Sequence, residues 1–220
     1  MPYFKNDDIN ILYIHIPKTG GTSLDVYFSN KYKISLNDKS LFMFLDKEIQ
    51  IKNNISIDSS LQHMTYNTIF KYKNFFNINC NNINIITTVR NPYERLVSDL
   101  FCYKKININS SKDDIFYIIQ SYLTEKLDNH NLPQYKFITD DNKNLIPNIK
   151  ILHTETLDED MINLGYIDFK FKLNINENNN INDNVNKLNY YNYLSNNSIQ
   201  LINDFYDYDF KLFNYNKIVI

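Results

Sequence analysis

The sequence predicts an α/β fold in which a central parallel sheet is flanked by helices. Two runs rich in β-branched and aromatic residues, 9–16 (INILYIHI) and 83–89 (INIITTV), are almost continuously apolar. Such runs are typical of strands buried on both faces, as in parallel sheets. Each run is followed by a turn and then by residues with helical spacing. Two such units in succession predict crossover helices and a ligand site at the carboxyl ends of the strands.

The first unit contains a glycine-rich turn. Residues 17–21 (PKTGG) interrupt the apolar run, and residues 24–32 (LDVYFSNKY) follow with a spacing that suits a helix. Thr22 and Ser23 precede these residues, so we expect a hydroxyl group near the helix N-terminus. The first unit is therefore a strand, a glycine loop and a helix.

The second unit begins with the strand at 83–89 and continues as RNPYERLVSDLFCYKK. Pro92 occupies the expected first helical position, and the residues after it make a broad apolar face. A weaker third strand is predicted at 149–153. Further helices are predicted at about 65–76, 113–127 and 196–213.

The chain has 220 residues, which is enough for one domain with a sizeable core, and we expect residues 1–220 to form a single domain. Residues 174–186 (NINENNNINDNVN) are polar and of low complexity. A segment of this composition cannot bury a core, so it is predicted to be a surface loop.

Charge and cysteine content exclude several classes of protein. The formal net charge is −2, which provides no general attraction to nucleic acid or to anionic membranes. Cys80 and Cys102 are too few for a disulfide framework, and neither lies in a CxxC pattern or near paired histidines, so we expect no zinc or other metal site. No apolar run approaches about 18 residues, and the first residues do not resemble a signal peptide. We expect a soluble protein in the cytoplasm or another intracellular compartment.

The glycine loop has the composition of an anion site. The chain has three glycines, and two of them, Gly20 and Gly21, are adjacent here. A strand that ends in such a turn and leads into a helix presents backbone N–H groups and the positive end of the helix dipole to one point. Lys18, Thr19, Thr22 and Ser23 would add a positive charge and hydroxyl donors. The alternative is a simple strand-to-helix turn.

The loop is not a Walker A motif, because its lysine precedes the glycines instead of following them. The segment PKTGGTS instead resembles the 5′-phosphosulfate loop of sulfotransferases that use 3′-phosphoadenosine-5′-phosphosulfate (PAPS). It is most similar to the carbohydrate-acting, heparan- and chondroitin-type group. The resemblance implies a P-loop-like domain, PAPS as cofactor and adenosine 3′,5′-bisphosphate as product. Lys18 and residues 19–23 would then bind the 5′ side of the cofactor.

The chain's only two arginines lie in VRNPYERLVS. In the resembling family, an arginine at a strand end and a serine eight positions later on the next helix bind the 3′-phosphate, and Arg90 and Ser98 have this spacing. An arginine can offer two parallel hydrogen bonds to a phosphate. The alternatives are a salt bridge for Arg90 and an exposed position for Ser98. Arg95 is expected to pair with nearby carboxylates.

Sulfuryl transfer needs a base for the acceptor hydroxyl and positive charge at the leaving oxygen. Lys18 is the candidate for the charge. His63, in HMTY, matches a His-x-Thr segment that provides the proposed base in the resembling family; the alternative is a structural or solvent-exposed histidine. His15 is expected to be a buried or sheet-facing histidine within its strand, and His153 is either structural or near the site. The segment HNLPQYKFI also resembles the family, which makes His130 and Gln134 candidates for acceptor or cofactor contacts, with a polar loop as the alternative.

The function expected from this resemblance is transfer of a sulfuryl group from PAPS to an acceptor hydroxyl on a carbohydrate. Two alternatives remain open at this point. A nucleotide or small-molecule kinase would need a Walker A lysine and an aspartate for Mg²⁺ after a strand, and neither is evident. A non-catalytic module could bind an adenosine bisphosphate or a glycan with the same loop.

Overall fold

The computed structural model describes residues 2–36, 43–171 and 189–220. They contain a four-stranded sheet in the order β1-β2-β3-β4, with strands at Tyr3–Lys5, Asn10–Ile14, Asn84–Val89 and Lys150–His153. Strands β2, β3 and β4 are parallel, and β1 is antiparallel to β2. The predicted α/β fold with a mostly parallel central sheet is therefore confirmed. The low-complexity segment 174–186 lies outside the described residues.

Strand β1 is absent from the sequence prediction. It is only three residues long and is followed directly by polar residues, so it has no recognisable strand pattern. It forms because Phe4 is fully buried under the sheet and the Tyr3 hydroxyl donates to Asn10 Oδ1 at 2.8 Å. Long-range packing, rather than local propensity, adds this strand to the edge.

Helices lie on both faces of the sheet. They are α1 (Gly21–Tyr32), α2 (Lys47–Lys52), α3 (Tyr66–Lys71), α4 (Pro92–Cys102), α5 (Lys112–Tyr122), α6 (Tyr135–Ile138), α7 (Leu157–Asn163), α8 (Asn196–Phe205) and α9 (Asp207–Leu212). The single helix predicted at 196–213 is thus two helices. Tyr206 separates them; its buried hydroxyl donates to Asn131 O at 3.1 Å, a tertiary contact without a sequence marker.

The helix starts differ in how they are capped. Asn91 caps α4 with its side chain, and Pro92 occupies the first turn as predicted. Helix α1 instead begins after Gly20, whose φ is +86°, and no side chain caps it. Thr22 and Ser23 therefore lie in the first turn of α1, near its N-terminus as expected, but neither is the cap residue.

Alternate residues of the central strands bury into opposite faces of the sheet. Leu12 and Ile14 of β2 pack into a core with Phe137 and Ile138, whereas Ile11 and Tyr13 pack with Leu24 and Phe28 of α1. A third core joins α4, α5, α8 and α9. The sheet is thus covered on both sides, and the loops that follow β2, β3 and β4 emerge at one edge.

Candidate active site

The two glycines of the first loop are needed for different reasons. Gly20 has a left-handed backbone, and a Cβ there would lie 2.9 Å from the ring of Phe171. A Cβ on Gly21 would lie 2.5 Å from His15 Nε2, closer than any side chain tolerates. Lys18 is also left-handed, with φ of +66°. The loop is therefore a tight turn that lets the backbone at the start of α1 face the space above it.

That space is a cleft of about 500 Å³ beyond the carboxyl ends of the strands. Lys18 and residues 20–23 line one side, and Arg90 and Ser98 line it from the second strand–helix unit. The fold therefore brings together two motifs that lie about 70 positions apart in the sequence.

Thr19 is the member of the loop that does not line the cleft. Its side chain is fully buried, and its hydroxyl bonds to Ile16 O at 2.8 Å and to Thr88 Oγ1 at 2.7 Å. The Thr19 carbonyl accepts a hydrogen bond from Thr154 Oγ1 at 2.7 Å. Thr19 thus fastens the loop to the neighbouring strands from below.

Arg90 is 7% exposed, and its guanidinium lies over the ring of Tyr190, with 5.0 Å from Cζ to the ring centroid. It donates to Glu94 Oε2 at 3.1 Å and to Lys18 O at 3.4 Å. Its Nε–H is buried and has no hydrogen-bond partner among the described residues. A buried donor left unpaired is costly, so a donor of this kind at the wall of a cleft favours an anionic ligand.

His63 also lines the cleft, and it is paired with a carboxylate that sequence patterns did not identify. Its Nδ1 lies 2.8 Å from Asp128 Oδ2, and Asp128 also accepts a hydrogen bond from Ser60 N. The side chain of Asn129 donates to His63 O at 2.8 Å. With Asp128 ionised, Nδ1 holds the imidazole proton, which leaves a lone pair on Nε2.

Burial lowers the pKa of His63 to about 4, and the neighbouring His15 and His130 lower it slightly further, whereas the hydrogen bond that His63 donates to Asp128 opposes the shift. His63 is therefore neutral at pH 7. Burial raises the pKa of Asp128, but the hydrogen bonds from His63 and Ser60 outweigh it, and the net shift is downward. This protonation state, a neutral imidazole beside an ionised carboxylate, is the one that a general base requires.

His63 is the middle member of a row of three histidines. Its ring centroid lies 5.6 Å from that of His15 and 4.7 Å from that of His130, both in edge-to-face contact. Each of the three has its own carboxylate at 2.8 Å from Nδ1; the outer pairs are His15–Asp25 and His130–Asp99. His15 is buried, as expected, but it directly follows the last residue of β2 instead of lying within the strand, and both His15 and His130 line the cleft. His153 lies elsewhere, near Asp160 and the ring of Tyr215.

Within the part of the chain that the structure describes, His63, Asp128 and His130 are the group whose ligand atoms could hold a metal ion, since these atoms lie within 4.8 Å of one another. In the structure Nδ1 of His63 bonds to Asp128, and Nδ1 of His130 bonds to Asp99. The expectation of a site without metal stays a prediction.

Gln134, predicted to contact acceptor or cofactor, is not brought to the cleft. It is fully buried, and its amide bonds to the backbone of Arg90: Oε1 accepts from Arg90 N at 2.9 Å, and Nε2 donates to Arg90 O at 2.8 Å. Both ends of the amide are therefore occupied by the backbone of Arg90, and neither is available to a ligand in the cleft.

Arg95 differs from the sequence expectation. It is buried and forms no ion pair with a carboxylate among the described residues; it donates instead to three backbone carbonyls. These are Pro17 O at 2.9 Å, Leu132 O at 3.0 Å and His130 O at 2.6 Å. Arg95 therefore ties the glycine loop to the segment that contains His130 and Gln134.

Sequence reasoning missed Asp128, Asp99 and the aromatic walls Phe171 and Tyr190. Asp99 lies one position after Ser98 on α4, and Asp128 lies two positions before His130. An acidic residue this close to a candidate histidine was a usable signal, although the partner of Asp128 is His63, 65 positions away.

None of the helices within the described ranges has both the length and the apolar character needed to span a bilayer. Searches of curated proteins and of solved structures found no match to this chain. A family model described as "Sulfotransferase family" matches residues 1–216. With nearly the whole chain matched, and with an α/β fold that brings the glycine loop and Arg90 to one cleft, the chain belongs to the sulfotransferase family.

Proposed function

We propose that this sulfotransferase moves a sulfuryl group from PAPS to a hydroxyl group of a carbohydrate and releases adenosine 3′,5′-bisphosphate. The observation that carries the proposal is the shared cleft: the loop at 18–23, Arg90 with Ser98, and the His63–Asp128 pair all adjoin it. A donor with anionic groups at both ends needs two anion sites. An acceptor hydroxyl needs a base that can accept its proton.

The residues present fit such a donor. Lys18, the two glycines and the hydroxyls of Thr22 and Ser23 surround the start of α1, where the helix dipole favours an anion, and would hold the 5′ side. The buried, unpaired Nε–H of Arg90 and the nearby Ser98 would hold the 3′-phosphate. Thr19 would support this loop through its buried hydroxyl. When bound, PAPS supplies an activated sulfuryl group.

In this proposal Nε2 of His63 would accept the proton of the acceptor hydroxyl. Asp128 stabilises the resulting imidazolium through its hydrogen bond to Nδ1. Lys18 stabilises the negative charge that develops on the oxygen that separates from sulfur. The proton therefore ends on His63 and the negative charge ends beside Lys18.

The surroundings of His63 support a carbohydrate acceptor over a phenol. Gln62, Asp128 and His130 line the cleft near His63, and all three are polar side chains instead of the walls of an apolar slot. His130 is our candidate for contact with an acceptor hydroxyl. Both cysteines are free and exposed, which supports an intracellular, reducing location.

The donor is tested by thermal unfolding with added nucleotides. We expect adenosine 3′,5′-bisphosphate to raise the melting temperature and ATP with Mg²⁺ to leave it unchanged. At 100 times its Kd, a ligand that binds only the folded state stabilises it by about 2.7 kcal/mol. Arg90→Ala should lose most of this response. Stabilisation by ATP with Mg²⁺ alone would favour a kinase instead.

The base is tested with His63→Ala, assayed with PAPS and a panel of sugar hydroxyls. We expect kcat to fall by about 10²- to 10⁴-fold, the usual contribution of a general base. His153→Ala is the matched control, because His153 also lies beside an aspartate but outside the cleft. Unchanged activity in His63→Ala would refute the assignment. Nucleotide binding without transfer to any acceptor would favour a binding module.

A further inference from the structure

Gln134 is fully buried behind the cleft and does not line it. Its amide forms a two-point contact with the backbone N–H and C=O of Arg90, at 2.9 and 2.8 Å. Arg90 directly follows β3, which ends at Val89, so its own backbone no longer belongs to the sheet ladder. The amide of Gln134 therefore pairs with the N–H and C=O of Arg90, as a neighbouring strand would do within the sheet.

Gln134 is itself held from the other side. Both carboxylate oxygens of Asp209 accept backbone N–H groups, from Gln134 and from Tyr135, each at 2.8 Å. Asp209 is fully buried in α9, and Arg95 holds the carbonyls of His130 and Leu132 just before this point. These contacts fix the main chain at Gln134. They therefore also fix the position from which its side chain extends towards Arg90.

The backbone at Arg90 determines where the guanidinium lies. Arginine has a long side chain, so a small rotation of the main chain moves the guanidinium much further than it moves Cα. The other contacts of the guanidinium come from Glu94, Tyr190 and Lys18 O, and they leave Nε–H unpaired. The direction of this N–H is therefore set by these three contacts together with the backbone position that Gln134 holds.

We propose that Gln134 is a positioning residue for anion binding: it holds the backbone of Arg90 so that the guanidinium meets the 3′-phosphate of the donor. The inference rests on the proposed function. Gln134 contacts neither donor nor acceptor in this proposal, and Asp209 serves as its anchor.

The test compares two ligands that differ by one phosphate, adenosine 3′,5′-bisphosphate and adenosine 5′-monophosphate, by isothermal titration calorimetry. Gln134→Met keeps the length of the side chain and removes both hydrogen bonds. We expect the preference of the protein for the bisphosphate to fall by about ten-fold, because a displaced guanidinium would lose about one charge-assisted hydrogen bond to the 3′-phosphate. The Kd of the monophosphate should change less than two-fold.

Gln50→Met is the matched control. Gln50 also bonds to the backbone with both ends of its amide, to Leu45 O and from Ile57 N, each at 2.8 Å, but it does not line the cleft. It should keep the full preference for the bisphosphate. Where Gln134→Met does not fold, Gln134→Asn serves instead, because the shorter amide cannot reach both backbone atoms of Arg90.

A double variant separates positioning from general damage. In Arg90→Ala, adding Gln134→Met should cause no further loss of preference, because the group that Gln134 positions is gone. With PAPS as substrate, Gln134→Met should raise KM for the donor and leave kcat at saturation unchanged. Equal weakening of both ligands, or additive losses in the double variant, would overturn the inference. Equal binding of both ligands by the wild type would instead overturn the proposed function.

Discussion

At the scale of single residues, the pairing of His63 with Asp128 decides what the imidazole can do. An imidazole in water exchanges between two tautomers, but a carboxylate 2.8 Å from Nδ1 selects the form with the lone pair on Nε2. Asp128 is fixed in turn by the backbone N–H of Ser60. The proposed base therefore has one orientation and one tautomer before any ligand binds.

Replacing Asp128 by Asn tests this arrangement. The amide keeps the size of the side chain but no longer stabilises the imidazolium, so we expect kcat to fall by about 10²-fold or more while nucleotide affinity stays unchanged. Steady-state kinetics and calorimetry measure the two quantities. Asp160→Asn, beside His153 and outside the cleft, is the control and should keep wild-type kcat. A loss of nucleotide binding in Asp128→Asn would contradict a role confined to the base.

At the scale of elements, helix α4 joins the parts of the site. Ser98 and Cys102, one turn apart, line the cleft. Arg95 and Asp99, also one turn apart, face the interior: Arg95 holds three carbonyls, and Asp99 accepts from His130 Nδ1 and from the hydroxyl of Tyr122. One row of side chains on α4 therefore lines the cleft, and the adjacent row forms hydrogen bonds that hold neighbouring segments in place.

Arg95→Met should be strongly destabilising, because it leaves three carbonyl groups without their charged donor. We expect a loss of about 2–4 kcal/mol in the free energy of unfolding, measured with urea. Lys105→Met removes a partly exposed ion pair with Glu125 and should cost less than about 1 kcal/mol. A similar small loss in both variants would contradict the structural role of Arg95.

Contiguous patterns explain which elements could be predicted from the sequence. The two strand–loop–helix units, Pro92 at the start of α4 and the glycine turn at residues 17–21 follow from residues that are neighbours in the chain. Strand β1 and the helix break at Tyr206 depend on distant packing, so no local pattern reveals them. For the same reason the partners of candidate residues, such as Asp128 for His63, could not be predicted.

At the scale of the whole molecule, two buried groups give the stability opposite dependences on pH. The pKa of His63 is about 4 in the folded state because of burial, below its ordinary value of 6.5, so its contribution to stability falls as pH drops from 6.5 towards 4. Burial raises the pKa of Asp209 from 3.8 to about 6, so its contribution rises as pH drops through 6. Between pH 7 and 5 the two effects largely offset each other.

Replacing His63 should reveal the pH dependence of stability that Asp209 contributes. On going from pH 7 to pH 5, His63→Gln should retain about 2 kcal/mol more of its free energy of unfolding than the wild type does, because the loss due to His63 is absent. Urea unfolding at both pH values measures this. Parallel changes in variant and wild type would indicate that the pKa of His63 is not lowered by folding.

Cys102 lies where its rate of alkylation can report whether a ligand occupies the cleft. Its thiol lines the cleft, whereas Cys80 is exposed outside it, and both are free. Bound adenosine 3′,5′-bisphosphate should slow alkylation of Cys102 and leave alkylation of Cys80 unchanged. Mass spectrometry measures both cysteines in the same labelled sample, so Cys80 serves as the internal standard for Cys102. Equal rates at Cys102 with and without nucleotide would mean that the ligand leaves this wall of the cleft open. Because the reporter is native, the same measurement applies to each variant above without a further change to the chain.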